Sequence, residues 1–556
     1  MNIKCFELAE ISSSKQITEA NLYKNKEKIA KLKPFIYQPI NVTYDIRGIE
    51  HIEKCGEILY KIRFSVQEEG NYRLIVKYND NTEEKTDIIA EGKFNHGFIG
   101  VSKTDRRYFS YTDSEPFYLM GINMVYPTAY GASDGKEFGK TGTKNYIGLK
   151  QYERWIKRCS ENGVNMVRIW LGHEYFCPDN ENVEEVKYEQ YSKLDMLVNI
   201  AKKYGVYLKF TIEQFRFFVY ENKDDYIFNL FNKKLSLNGE RCMSTEEWLR
   251  EEKWQNAWLN KLGELAARYA YDTSVFAVEL WNEMSTVGYK GNELNEWNEY
   301  MLPKVKELFP NTMVVNSLGS LDTDEGLKKY KDFPWHKCDF KQLHRYLDQG
   351  YLDHENKYQD TGRRPIEVIQ KGMELIKDET LPFVVAETGA VNNNHSGPFK
   401  FYSCDDRGII FVDCVYTPVF LGSASCGNIW HWDERYVESK NLYKYYKPLA
   451  DMIEDIDFSK ENFKSVDLSD DDVYLFVLDG DNVSICFIRN KADNWENTLK
   501  DDIEPKIIDS KEIEIKGVKR LKNFPIWADD TTSVKKDGEK ICINNIRYGT
   551  IFKMYK

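Results

Sequence analysis

Val275-Phe276-Ala277-Val278-Glu279-Leu280-Trp281-Asn282-Glu283 is the stretch whose reading decides the fold. It is a short, nearly continuous apolar run, the signature of a strand buried on both faces, and it ends in an amide and a carboxylate. About a hundred residues on, Phe383-Val384-Val385-Ala386-Glu387-Thr388-Gly389 repeats the pattern. Comparable runs occur at 117–122, 164–170, 206–210, 312–315, 340–344 and 427–430. Helical spacing lies between them: Leu194, Leu197, Val198, Ala201 and Tyr204 share one face, as do Trp254, Trp258, Leu262, Leu265 and Tyr269. Eight strands alternating with helices over 117–455 predict an α/β fold, a (β/α)₈ TIM barrel. An open doubly wound sheet would want a Gly-rich phosphate turn after an early strand, which Gly121-Ile122-Asn123 does not supply.

Outside these limits the period changes from helical to two. Tyr60, Ile62, Phe64 and Val66 alternate with polar residues, as do Tyr72, Leu74, Val76 and Tyr78, and the spacing predicts that they pair as a hairpin. Residues 1–95 are thus an expected N-terminal β-sandwich, and 96–116 a linking β segment. Two further alternating runs about Asp479-Gly480-Asp481-Asn482 make 456–556 an expected C-terminal β-sandwich. Two long loops, 126–147 and 213–246, follow strands and are expected on the catalytic face.

The composition narrows the function. Net charge is −12, and no basic block with interleaved aromatics stands out, which argues against a nucleic-acid partner. No apolar leader and no membrane span are evident, and the 11 scattered cysteines fit reduced thiols, so the expectation is a cytoplasmic chain. His/Cys clusters with ligand spacing and phosphate-loop motifs are missing from the sequence, so neither metal nor cofactor is expected. The sequence leaves the oligomeric state open.

Barrel enzymes place their chemistry where strands end. Two glutamates, Glu283 and Glu387, end the fourth and seventh runs, and glycoside hydrolysis needs two carboxyl groups flanking the scissile bond. Asn282 beside Glu283 is placed to bond a sugar 2-hydroxyl. Asn123 and Tyr126 after the first strand and His173 after the second are candidate hydroxyl ligands.

Residues 278–283 resemble the acid/base motif of the retaining glycosidase clan that includes the family-five cellulases and mannanases, and residues 384–389 are similar to its nucleophile strand. The flanking β regions resemble those of bacterial cellulase-like hydrolases. The resemblance implies Glu283 as acid/base and Glu387 as nucleophile. It implies Arg168 as the arginine beside the nucleophile, with Glu279 as its structural partner. His344 and Tyr346 match the pair that ends the clan's sixth strand, Trp430 its sugar platform, and Trp432 stands nearby. The chain departs from the family-five pattern after the third strand, where a histidine is common. Here it reads Thr211-Ile212-Glu213-Gln214-Phe215, with Glu213 as a candidate sugar ligand. The expected activity is retaining hydrolysis of β-linked oligosaccharides or glycosides. Transglycosylation would use the same residues, and a non-catalytic carbohydrate-binding barrel is the rival outside enzymes. The expected gap between the two carboxyl groups is about 5–5.5 Å.

Overall fold

Buried and exposed residues alternate strictly along Gly70–Tyr78, so one face can pack while the other meets water. In the computed structural model, which describes residues 1–128, 146–220, 232–287, 292–319, 324–348, 364–392 and 397–556, this strand pairs antiparallel with Glu83–Lys93 and with Ile17–Lys24. The expected hairpin with the preceding run does not form. Leu59–Phe64 pairs instead with Ala9–Ser13 and Phe35–Tyr37, in a second sheet. Residues 65–69 carry the chain between sheets, and the tight turn lies later, where Asn81 adopts a left-handed φ of 62°. Ile62, Phe64, Leu74 and Val76 meet in one core.

The central region is parallel. Gly121–Asn123, Met166–Trp170, Tyr207–Glu213, Val275–Trp281 and Met313–Val315 pair in that order as the first to fifth strands. Lys341–Asp348 and Phe383–Val391 pair as the sixth and seventh. The expected eighth segment forms bridges rather than a ladder: Ile429 pairs with Ile122 on one side and Thr388 on the other. Both expected amphipathic helices form, as Tyr188–Lys203 and Glu252–Tyr269. Much of each expected long loop lies outside the described residues, at 129–145 and 221–231.

The N-terminal region joins the central one through a helix cap. The helix Leu149–Glu161 starts after Gly148, which has no side chain to satisfy the first N–H groups. Glu50 does so from its own strand. Leu149 N–H donates to Glu50 Oε2 at 2.7 Å, and Tyr175 Oη donates to Oε1 at 2.7 Å. Gly148 is required there, because its φ is 66° and a Cβ would stand 2.2 Å from Glu50 Oε2.

The C-terminal hairpin forms as expected, Val473–Asp479 against Val483–Asn490. It docks through buried charge. Arg489 donates to Asp413 Oδ1 at 2.9 Å and to Asp493 Oδ2 at 2.9 Å, and Arg364 reaches Asp413 Oδ2 at 2.9 Å. Burial works against the Asp493 charge, but Arg407 and Arg489 hold its carboxyl below the usual carboxylate range. Asp413 lies on the helix Ile409–Phe420 and is matched by two guanidinium groups. No helix among the described residues is long and apolar enough to cross a membrane. All 11 cysteines are free.

Breaking a buried pair by removing one partner costs about 3–5 kcal/mol, because the other charge stays buried. Asp413→Ala should therefore lower the unfolding free energy by about that much in a denaturant titration. It should leave the turnover of the still-folded protein unchanged.

Candidate active site

The interior of the central region is polar where its strands end. Arg168, from the second strand, is fully buried, and every arm of its guanidinium is engaged. Nε donates to Glu279 Oε2 at 2.9 Å and Thr211 Oγ1 at 3.1 Å. Nη2 donates to Glu279 Oε1 and to Asn282 Oδ1, both at 2.7 Å. Nη1 donates to Asn123 Oδ1 at 3.2 Å and to Glu387 Oε1. Burial opposes the charge on Arg168, but Glu279 and Glu387 hold its pKa above the usual arginine value. Burial likewise opposes the Glu279 charge, and the pull of Arg168 and Lys209 keeps that carboxyl well below the carboxylate range. Burial lowers the Lys209 amine to about 8 despite Glu279 2.6 Å away.

Glu387 is 3% exposed and has a second donor, Tyr346 Oη, 2.7 Å from its Oε2. Burial first, then the charges of Glu387 and Glu283, push the Tyr346 phenol well above its ordinary value, so it stays a donor. Register explains the alignment. His344 pairs with Glu387 and Tyr346 with Gly389, after a shift between Leu343 and His344 that skips Ala386. Such irregularities re-aim side chains.

Glu283 is held by its backbone. Its φ is 49° and ψ 50°, a left-handed conformation uncommon for a side chain of this size and often stored at functional sites. Its N–H donates to Ser317 Oγ at 2.9 Å, and its carbonyl accepts from Thr286 Oγ1 at 2.7 Å. His344 Nδ1 lies 3.0 Å from its Oε1, and Arg216 donates to Oε2 at 3.3 Å. Burial lowers the Arg216 pKa, against the pull of Glu283 and then Glu387.

The two glutamates face each other. One oxygen of each, and a His344 ring nitrogen, lie within 4.8 Å of one another. The two carboxylates thus approach through one oxygen each to within 4.8 Å, and retaining glycosidases hold their carboxyl groups about 5–5.5 Å apart. The same three donors have the spacing of a cation cage. However, the Arg168 guanidinium already lies against Glu387 and would repel a second cation at contact distance.

Other expected ligands are placed differently. Asn123 is fully buried and spends its amide on the carbonyls of Ala386 at 3.1 Å and Asn428 at 3.0 Å, so it supports Arg168 instead of facing a sugar. His173 is 1% exposed, accepts Tyr175 N–H at Nδ1 and stacks on Tyr126 at 4.7 Å. Tyr126 is itself buried in that stack. Trp432 is fully buried, edge-on to Trp430 and Trp155. Trp430 keeps 5% exposure beside Trp170. Glu213 is buried among Lys261 at 2.8 Å, Lys233 at 3.3 Å and Trp258, in an ion cluster behind the site. The sequence reading missed Arg216, Ser317 and Lys209. Arg216 had one signal, its place just past the third strand, where barrel mouths carry functional side chains.

A polar strand-end site with two facing glutamates is the arrangement that glycoside hydrolysis requires. The cellulase model of glycosyl hydrolase family 5 matches residues 132–415, just over half the chain, and the chain belongs to that family. Its departure after the third strand lies within the match. A structure described as a "putative glycoside hydrolase" from Bacteroides vulgatus aligns over 100% of both chains, with a TM-score of 0.56 and 14% identity, a likeness of fold. A family 5 glycoside hydrolase from the same organism aligns over 83% of this chain and 94% of its own, at 12% identity and a TM-score of 0.47. A family 5 mannosidase from Rhizomucor miehei aligns over 60% and 86%, at 14% identity and a TM-score of 0.41. No curated protein matches the chain.

A hydrogen bond to a charged group contributes about 1.5–3 kcal/mol. Tyr346→Phe should therefore lower kcat/KM on an aryl glycoside by about ten- to a hundredfold. Circular dichroism should be unchanged, since the ring and its packing remain.

Proposed function

We propose that the chain is a retaining β-glycosidase acting by double displacement, with Glu387 as nucleophile and Glu283 as acid/base. The observation that carries this reading is the approach of the two carboxylates to within 4.8 Å beside a buried guanidinium. Arg168 and Tyr346 each donate to Glu387 and hold its carboxylate aimed. Glu387 attacks the anomeric carbon while Glu283 protonates the leaving oxygen. Glu283 then deprotonates water, which releases the sugar with net retention. No metal or cofactor enters this chemistry. Asn282, held by Arg168, presents its amide to the sugar 2-hydroxyl, and Trp430 offers the stacking face. His344 sits between the carboxylates, its Nδ1 3.0 Å from Glu283 and 3.4 Å from Glu387, and fixes their mutual placement.

The reading includes a closed eight-stranded barrel. Its support is the parallel order of the strands and the double bridging of Ile429 to the first and seventh. It also includes flanking sandwiches at 1–95 and 456–556, joined to the barrel by the Glu50 cap and the Arg489 network. The substrate class is β-linked oligosaccharides or glycosides.

The division of labour is tested with an aryl glycoside whose leaving group needs little protonation. Glu283→Ala should still form the covalent intermediate but accumulate it, for want of a base. Azide should restore turnover and give the β-glycosyl azide. Glu387→Ala should lose glycosylation, and azide should rescue it only as the α-product. Acid–base help is worth about 10²–10⁴-fold, so the effects are large. An α-azide from the Glu283 variant would mean that the two roles are reversed.

A further inference from the structure

A cavity of about 720 Å³ opens beside the second and third strand ends, apart from the two glutamates. Gly172, Tyr175, Phe215 and Lys193 line it, with Glu50 from the N-terminal region. The helix Tyr188–Lys203 begins at its wall. That helix has no side-chain cap at Lys187, and Gln190 of its first turn lines the cavity. Gln190 N–H donates to the Lys187 carbonyl at 3.0 Å, so what the start of the helix contributes to the cavity is its partial positive charge.

Lys193 supplies the second feature. Helical side chains lean toward the N-terminus, which carries Lys193 back over its own first turns. The residue is 4% exposed, and it has neither a hydrogen bond nor an ion pair among the described residues. Its contacts are aromatic: Nζ stands 3.7 Å from the centroid of the Tyr175 ring and 5.8 Å from that of Phe176. Burial lowers the amine to about 7, against the weaker pull of Glu50, Glu189 and Glu174. Those carboxylates are committed elsewhere. Glu50 caps Leu149 and accepts from Tyr175, Glu174 accepts from Tyr146, and Glu189 pairs with Lys54 at 3.2 Å. Across the cavity Asp179 is matched by Lys233 and Lys261.

We propose that this cavity binds a singly charged acidic group carried by a sugar, a carboxylate or a sulfate ester, through Lys193 and the helix start. One negative charge completes Lys193. A doubly charged phosphate would leave excess charge facing Glu50 and Glu174, so the site discriminates by charge as well as shape. The sugar in this statement rests on the glycosidase reading, while the anion site stands on its own geometry. Phe215, which lines the cavity, is the chain neighbour of Arg216, whose guanidinium donates to Glu283.

Calorimetric titration of the full chain with glucuronate, glucose 6-sulfate, glucose 6-phosphate and glucose tests the site without turnover. Glucuronate and the sulfate should bind, glucose should not, and the phosphate should bind more weakly. Because an anion favours the protonated amine, affinity should be full below about pH 7 and fall by up to tenfold per pH unit above it. Lys193→Met should weaken glucuronate binding by about tenfold or more, and Lys193→Arg should retain most of it. Should Lys193→Met fail to fold, the wild-type chain still decides. Glucuronate, and not glucose, should protect Lys193 from reductive methylation read by mass spectrometry. Equal binding of glucose and glucuronate, or methylation indifferent to glucuronate, overturns the site. Anion binding with no hydrolysis of any glycoside would instead overturn the glycosidase reading and spare the site.

Discussion

Everything at the mouth of this fold depends on one buried guanidinium. Arg168 lies where water cannot solvate it, so its charge is tolerable only because Glu279 and Glu387 face it and Thr211, Asn123 and Asn282 take up its remaining donors. That requirement couples the second strand to four others. Glu279 is the structural counter-ion, which frees Glu387 to carry the second negative charge into the cleft. Asn123, anchored on the carbonyls of Ala386 and Asn428, ties the same arginine to the backbone of the seventh strand and the segment after it. The planar fork of arginine serves five partners at once here, and a lysine point charge could not.

The legible part of the fold was its buried strands. Runs such as 275–281 and 383–386 meet apolar neighbours on both faces, so hydrophobicity alone marks them. The polar interior was harder to read. Lys209 and Gln342 sit inside apolar-looking runs, and their meeting across the interior depends on register that spacing does not encode. The first strand is short and begins only at Gly121, because the preceding Pro116–Phe117 pairs antiparallel with Phe109–Tyr111. The misplaced hairpin has the same origin: alternation shows that a strand has two faces, not which strand it will meet.

The site shows a similar division. Glu283, Glu387, Arg168, His344 and Tyr346 follow from strand ends taken in order, and the structure brings them together. Tryptophans 430 and 432 look equivalent at a spacing of two. His431 between them adopts a φ of 57°, which breaks the extended backbone, and the second tryptophan turns into the core. Arg216 lies in a loop, where neither period nor burial gives a signal. Glu283 illustrates the opposite relation, since its left-handed backbone is a cost accepted to aim one carboxylate.

The cap that Glu50 places on the helix Leu149–Glu161 has a bearing on ancestry. An accessory module joined by a linker can be shuffled between enzymes, because the catalytic body owes it nothing. Here the body lacks its own capping side chain, and Gly148 leaves room for one from outside. The two regions fit at the level of single atoms. Recombination that brought in a foreign N-terminal region would have to deliver a carboxylate to that same point, or leave a helix of the catalytic body open at its end. An exchange of the N-terminal region is therefore constrained by one atom position, the Glu50 carboxylate oxygen that ends this helix.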